Sequence, residues 1–257
     1  MKYRYESGNE FDLASRLQQL LLPKSSPECS WCCFSVKNRM ATGIGGDFFD
    51  FIRKDDGCQV IFLGDVTGHG IHASVVMSLL YGYIHCISLQ PCSPLSAILQ
   101  INRFLQSFAR RSEQLDYFFS CTLFFCVIHP ETLHAQYINC GHVPPMVRRN
   151  DGVFNLVSTG PPLGFFEQPD IDVGDFTFQS HDSLLLFTDG ITEAANPQDG
   201  FFGRDRLKEY LLTADDDHDE FLNRLFDTLK EYEGKDNPSD DCTAIMVNFN
   251  GWKPAAG

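Results

Sequence analysis

The 257-residue sequence has no apolar stretch approaching the roughly 20 residues that a membrane-spanning helix needs. Its longest apolar run, Cys121 to Ile128, is short and contains Thr122. The first dozen residues, MKYRYESGNEFD, have no apolar core of the kind that marks a secretory leader. No membrane anchor is therefore expected in this sequence. Positive charge is scarce too: 20 Lys and Arg stand against 34 Asp and Glu, a formal charge of -14. That balance excludes a nucleic-acid backbone as the main partner and suits divalent cations better than anions. The sequence is not poor in cysteine, having 10. It does lack the second Cys pair that would turn Cys29–Ser30–Trp31–Cys32 into a four-ligand zinc motif. Cys121, Cys126, Cys140 and Cys242 sit inside apolar segments, where a reduced cysteine packs as a small hydrophobe. The expected compartment is a reducing cytoplasm.

Hydrophobic residues make up 43% and charged ones 21%, enough for a sizeable core. Residues Phe11 to Leu22 place Leu13, Leu17, Leu20 and Leu21 on one helical face, the pattern of a helix that covers a core, and Pro23 ends it. Three strand-like segments follow, WCCFSVK, DFFDFIR and CQVIFLGDV, the last two joined by a hairpin turn, KDDG. Two helices are expected over His72–Leu89 and Leu95–Ala109. Next come a hairpin, YFFSCTLFFCVI and LHAQYIN around HPET, and strands near Pro145–Arg149, Val153–Val157 and Ile171–Phe178. DSLLLFTDG reads as a buried strand, Arg206–Leu212 and Glu220–Tyr232 as helices, and CTAIMVNF as a final strand. Alternating β-α-β units are absent, so the expected fold is a single α+β domain with helices covering antiparallel sheets.

Four apolar strands carry aspartates at an end, each beside glycine or a second acid: Asp47 in GIGGDFFDF, Asp65 in FLGDVTGHG, Asp189 in LLFTDGIT, and Asp240 with Asp241 in PSDDCTAIM. Each has an ordinary explanation, since Asp-Gly is a common turn pair and paired acids guard strand ends. Their recurrence points instead to one cleft. Several carboxylates converging there cannot all stay ionised without a cation between them, and hard divalent cations take oxygen ligands. The set predicts Mg²⁺ or Mn²⁺ rather than zinc or copper, because no matching His and Cys set accompanies it. GIGG is not a dinucleotide fingerprint: Phe48 occupies the third glycine position and no helix follows at once.

In this order the segments resemble the PPM family of metal-dependent protein serine/threonine phosphatases, in its SpoIIE-like, RsbU-type bacterial branch. The stretches that carry the resemblance are LQQLLLP, GGDFFDF, GDVTGHGIHASVVM, TLFFCVIHPETLHAQYINCGHVPPMV, GPPLGF, LLLFTDGITEAANPQDGFFGRDRL and DDCTAIMV, spanning Leu17 to Val247. The resemblance implies an αββα sandwich of two antiparallel β-sheets flanked by helices. It implies two Mn²⁺ or Mg²⁺ ions and hydrolysis of phosphoserine or phosphothreonine by a metal-bridging hydroxide. Carried over residue by residue, Asp65 matches the bridging ligand, Val66 the position that contributes a backbone carbonyl, and Asp189 and Asp240 further carboxylate ligands. Asp47 matches the acid of the first motif and, with Asp65, is assigned to the catalytic centre. Asp50, Asp241, Thr67 and His69 fall beside these positions as supporting residues, while His142 in NCGHVPP matches a position read as strand-end packing. After GHG the sequence reads IHASVVM where the branch more often has a proline and alanines, and the branch lacks an arginine clamp for the substrate phosphate.

The implied division is an N-terminal linker or switch helix over 1–22, a phosphatase domain over 23–250 and a short tail over 251–257. The implied partner is a phosphoprotein, an anti-sigma-factor antagonist in a partner-switching pathway. Separately, the amphipathic face of Leu13 to Leu22 reads as a docking or dimerisation surface, so homodimerisation through the N-terminal helix is a further expectation. Two other readings share the metal site. One is a catalytically silent PPM-fold module that binds a phosphoprotein or anti-sigma factor; the other is a two-metal hydrolase of small phosphate esters. Metal binding alone does not separate the three.

Overall fold

A computed structural model describes residues 7–23, 29–90, 93–111, 119–150, 152–213, 217–235 and 238–250. Two five-stranded antiparallel sheets face each other, with helices on both outer sides. One sheet has β2 (Asp47–Arg53), β3 (Gln59–Val66), β4 (Cys121–Ile128), β5 (His134–Cys140) and β8 (Gly174–Thr177), side by side in that order. The other runs β1 (Cys32–Arg39), β12 (Cys242–Phe249), β9 (Ser183–Phe187), β6 (Met146–Arg149) and β7 (Gly152–Asn155). A small hairpin, β10 (Ala195–Asn196) with β11 (Gly200–Phe201), stands apart.

Helices α2 (Ile71–Ser88) and α3 (Pro94–Arg111) pack on the first sheet. Helix α6 (His218–Glu233) packs on β1 and β12 of the second sheet, and α5 (Gly203–Leu212) on β6 and β7. The result is the expected αββα layering. Central strands are thereby covered on both faces: β3 is buried at Gln59–Gly64 and again at Val66. This explains why its sequence is continuously apolar rather than alternating, although its pairing is antiparallel. The KDDG turn closes the β2–β3 hairpin as expected, with Gly57 at φ 83° and Arg53 opposite Gln59. That register sets Asp47 directly opposite Asp65.

Among the described residues, α2 is the one helix long and apolar enough, by length and composition, to cross a membrane. Here it is a core helix, burying Val76, Met77, Leu80, Ile84 and Ile87.

Helix α1 (Ser7–Leu21) departs from the expected core cover. Its leucine face looks outward, with Leu13 58%, Leu17 55% and Leu20 63% exposed. The buried residue is instead polar: Gln18 is 5% exposed and grips the backbone of Gly45, Nε2 donating to the Gly45 carbonyl at 2.7 Å while Oε1 accepts from the Gly45 amide at 3.1 Å. Periodicity identified the helix but could not say which face the loop before β2 would claim.

Candidate metal centre

The strand ends gather the acids at one edge of the sandwich. Asp47 opens β2, and Asp65 lies opposite it near the end of β3. From the second sheet, β9 leads through Thr188 into Asp189, which opens the one-turn helix α4 (Asp189–Thr192), while Asp240 and Asp241 immediately precede β12. The Thr67–Gly70 turn leaves the cleft through Gly68 and Gly70 at φ 95° and 77°, left-handed backbone that favours glycine.

Asp47 is 1% exposed and is clasped from the opposite sheet. The hydroxyls of Thr188 and Thr243 both donate to its Oδ2, at 3.0 and 2.5 Å. Thr243 Oγ1 in turn accepts from Asn38 Nδ2 at 2.6 Å, and Thr188 Oγ1 accepts from the Thr243 amide at 3.0 Å. Asp241 makes a second tie between the sheets: Oδ1 accepts from the Ala41 amide and Oδ2 from the Gly46 amide, each at 2.9 Å. Two glycines make these approaches feasible. A Cβ at Gly45 would stand 1.8 Å from Asp241 Oδ2, and one at Gly46 would stand 2.6 Å from the Val66 carbonyl oxygen and 2.8 Å from Asp65 Oδ1. Gly46 therefore keeps open the space in front of two candidate ligand atoms.

The electrostatics are those of carboxylates short of a counter-charge. Burial and then the negative charges of Asp47, Asp189, Asp240 and Asp241 push Asp65 up to about 9. Asp47 is raised by burial and by Asp241 and Asp189, opposed by the Thr243 and Thr188 hydroxyls. Asp189 is raised by burial and Asp240. Asp241 is raised by burial, with relief from the Ala41 and Gly46 amides and from His69. Among the described residues no three His, Cys, Asp or Glu side chains stand as a ready-made ion cage. The donors nonetheless suit a hard divalent cation, being oxygen atoms of mutually repelling carboxylates plus the Val66 carbonyl beside Gly46.

The supporting residues divide. Asp241 braces the loop before Asp47, as described. Thr67 joins the turn to the residue before β4, its amide donating to the Ser120 carbonyl at 3.0 Å and its hydroxyl meeting that of Ser120. His69 is exposed, and its influence on the Asp241 carboxyl is a lowering one that opposes burial. Asp50 does not join the cluster: three residues beyond Asp47 on a strand, it faces the opposite side and lies under α2. There it accepts from Tyr81 Oη at 2.7 Å and lies 3.3 Å from His85 Nδ1. His142 sits between the sheets with Nδ1 3.0 Å from Thr122 Oγ1, and Thr122 pairs with Asp65 in the ladder. Burial pushes its imidazole down to about 4, so it is neutral at physiological pH. Sequence reasoning missed Thr188, Thr243 and Gln18; the two threonines did carry a signal, each lying within three residues of a candidate ligand.

A sandwich of two antiparallel sheets flanked by helices is the fold of PP2C-type phosphatase domains. The chain belongs to the SpoIIE family, a PP2C-type branch of the metal-dependent PPM serine/threonine phosphatases: the family model "Stage II sporulation protein E (SpoIIE)" matches residues 55–250. It is 27% identical to "Protein IcfG" of Synechocystis sp., over 94% of this chain and 42% of that protein. It is 23% identical to "Phosphoserine phosphatase RsbP" of Bacillus subtilis, over 96% of this chain and 59% of that protein. The chain thus spans about half the length of these two relatives. Among solved structures, the "SiaA-PP2C domain of Pseudomonas aeruginosa" superposes with a TM-score of 0.78 at 21% identity, covering 94% of this chain and 96% of that one.

Proposed function

We propose that this chain hydrolyses phosphoserine or phosphothreonine in a protein substrate, with two Mg²⁺ or Mn²⁺ ions in the acidic cleft. The observation that carries the reading is the convergence of Asp47, Asp65, Asp189 and Asp240 from two sheets into one field of mutual repulsion. Asp65, Asp47, Asp189, Asp240 and the Val66 carbonyl would hold the ions in this proposal, Asp65 at the centre of the repelling set. Bound there, the ions would acidify water and neutralise charge on the phosphoryl oxygens. The protein's own part is to hold the oxygens still: the threonine hydroxyls fix Asp47, and the Asp241 carboxylate fixes the Ala41–Gly46 loop.

The proposed substrate is an anti-sigma-factor antagonist in a partner-switching pathway, supported by similarity to a protein named phosphoserine phosphatase RsbP. The proposed compartment is the cytoplasm, in keeping with nine free cysteines among the described residues. Residues 1–22 act as a switch helix and dimerisation element in this reading, with 23–250 as the phosphatase unit. The Gln18–Gly45 contact and the outward leucines of α1 support that assignment.

The test is phosphate release from p-nitrophenyl phosphate and a phosphoserine peptide with Mn²⁺, Mg²⁺ or EDTA. Turnover is expected with metal, and a loss of about a hundredfold or more in Asp65→Asn and Asp189→Asn, since each removes several kcal/mol of transition-state stabilisation. A folded protein inert with every metal would convert the reading to a binding module. A strong preference for nucleotides or sugar phosphates would make it a small-molecule hydrolase.

A further inference from the structure

We infer that Cys29 and Cys32 form a redox-active dithiol that a hydroperoxide closes to an intrachain disulfide. The inference is independent of the metal centre. The two sulfurs stand 2.8 Å apart where the chain enters β1, one on each side of the Ser30–Trp31 turn. Their environments differ as those of an attacking and a resolving thiol should. Cys29 is half-buried and within reach of solvent, whereas Cys32 is 1% exposed on the inner face of β1. Cys33, the next residue, takes the outer face by strand alternation, where its sulfur accepts from Asn250 Nδ2 at 3.2 Å. It is therefore not the partner of Cys29.

The local groups support that division. The Cys32 S–H hydrogen bond, with the Trp31 and Cys32 amides and the Arg53 charge, brings the Cys29 thiol down to about 7 against the opposing effect of burial. Burial raises Cys32, which remains a protonated donor. A thiolate is the nucleophile in peroxide and disulfide chemistry, and Cys-X-X-Cys pairs commonly supply one.

The Cys29 thiolate attacks a peroxide oxygen, forming an S–O bond as the O–O bond breaks; the departing hydroxide takes a proton and leaves as water. The Cys32 thiol then gives up its proton and attacks the Cys29 sulfur, forming the S–S bond and expelling the sulfenic oxygen as a second water. In sum, two thiols lose two electrons and two protons, and one hydrogen peroxide takes them up to become two waters. The bond would tie the approach from α1 to the first strand of the sandwich.

The experiment uses the full chain. After hydrogen peroxide treatment and alkylation, mass spectrometry of the wild type is expected to show a species two hydrogens lighter, with the bond mapped to Cys29 and Cys32. Cys32→Ser is expected to stop at a Cys29 sulfenic acid captured by dimedone, and Cys29→Ser to form no bond at Cys32. A further measurement needs no variant: iodoacetamide labelling of Cys29 in the reduced wild type should inflect near pH 7. At that pH it should run about threefold faster than labelling of free cysteine, the larger thiolate fraction being partly offset by lower intrinsic nucleophilicity. The inference is overturned if peroxide leaves this pair reduced while the exposed Cys86 is oxidised, if Cys29 bonds elsewhere, or if its labelling inflects in the ordinary range near 8.5.

Discussion

Asp47 accepts two hydroxyls on one oxygen, Oδ2, leaving Oδ1 uncommitted to protein hydrogen bonds among the described residues. A buried carboxylate held this way has its direction fixed before any ligand arrives, the kind of support that commonly changes metal affinity by tenfold or more when removed. Thr243→Val should therefore have two effects. Stability in EDTA should fall by about 1–3 kcal/mol, the usual cost of an unpaired buried polar group, measured by urea unfolding. Mn²⁺ affinity should fall by about tenfold by calorimetric titration. Thr243→Ser, which keeps the hydroxyl, should restore both. An unchanged Mn²⁺ affinity in a destabilised Thr243→Val would reduce the clasp to ordinary packing.

At the scale of elements, every acid assigned as a metal ligand stands at or just beyond a strand end, unlike Asp50 in the middle of β2. That much was readable because an acid next to an apolar run and a glycine or second acid is locally conspicuous. The β2–β3 hairpin was equally readable from KDDG, and its register alone brings Asp47 and Asp65 together. The contacts between sheets were not readable, because Thr188 and Asp47 are far apart in sequence and meet only after two sheets have stacked. The outward face of α1 was hidden for the same reason: its buried residue, Gln18, was chosen by a loop amide rather than by helical period. Gln18→Leu removes both hydrogen bonds to Gly45, worth about 1–3 kcal/mol together. It should lower phosphate release severalfold without changing the fold seen by circular dichroism, and deletion of residues 1–22 should alter activity or oligomeric state by light scattering. If neither change registers, α1 is not a switch.

For the whole molecule, the acidic cleft makes stability depend on pH in an unusual direction. Asp65 has its folded value raised to about 9, from an unfolded value near 3.9, so the protonated form is the one folding favours. Its contribution is complete below about pH 4 and is lost as pH rises toward 9. Metal-free protein should accordingly melt at progressively lower temperature from pH 5 to pH 9, with Asp65→Asn showing a shallower decline and saturating Mn²⁺ flattening the wild-type curve. A melting temperature in EDTA that climbs over this range would contradict the repulsive cleft. The same layout has a mechanical reading. Asp47 and Asp65 ride on one sheet and Asp189 and Asp240 flank the other, so in the proposed reading their mutual repulsion would act as a wedge between the layers and a cation held among them would act as a rivet. Any partner that seats one layer more firmly on the other would tighten the rivet without touching a ligand, and by reciprocity a loaded cleft would strengthen that partner's grip.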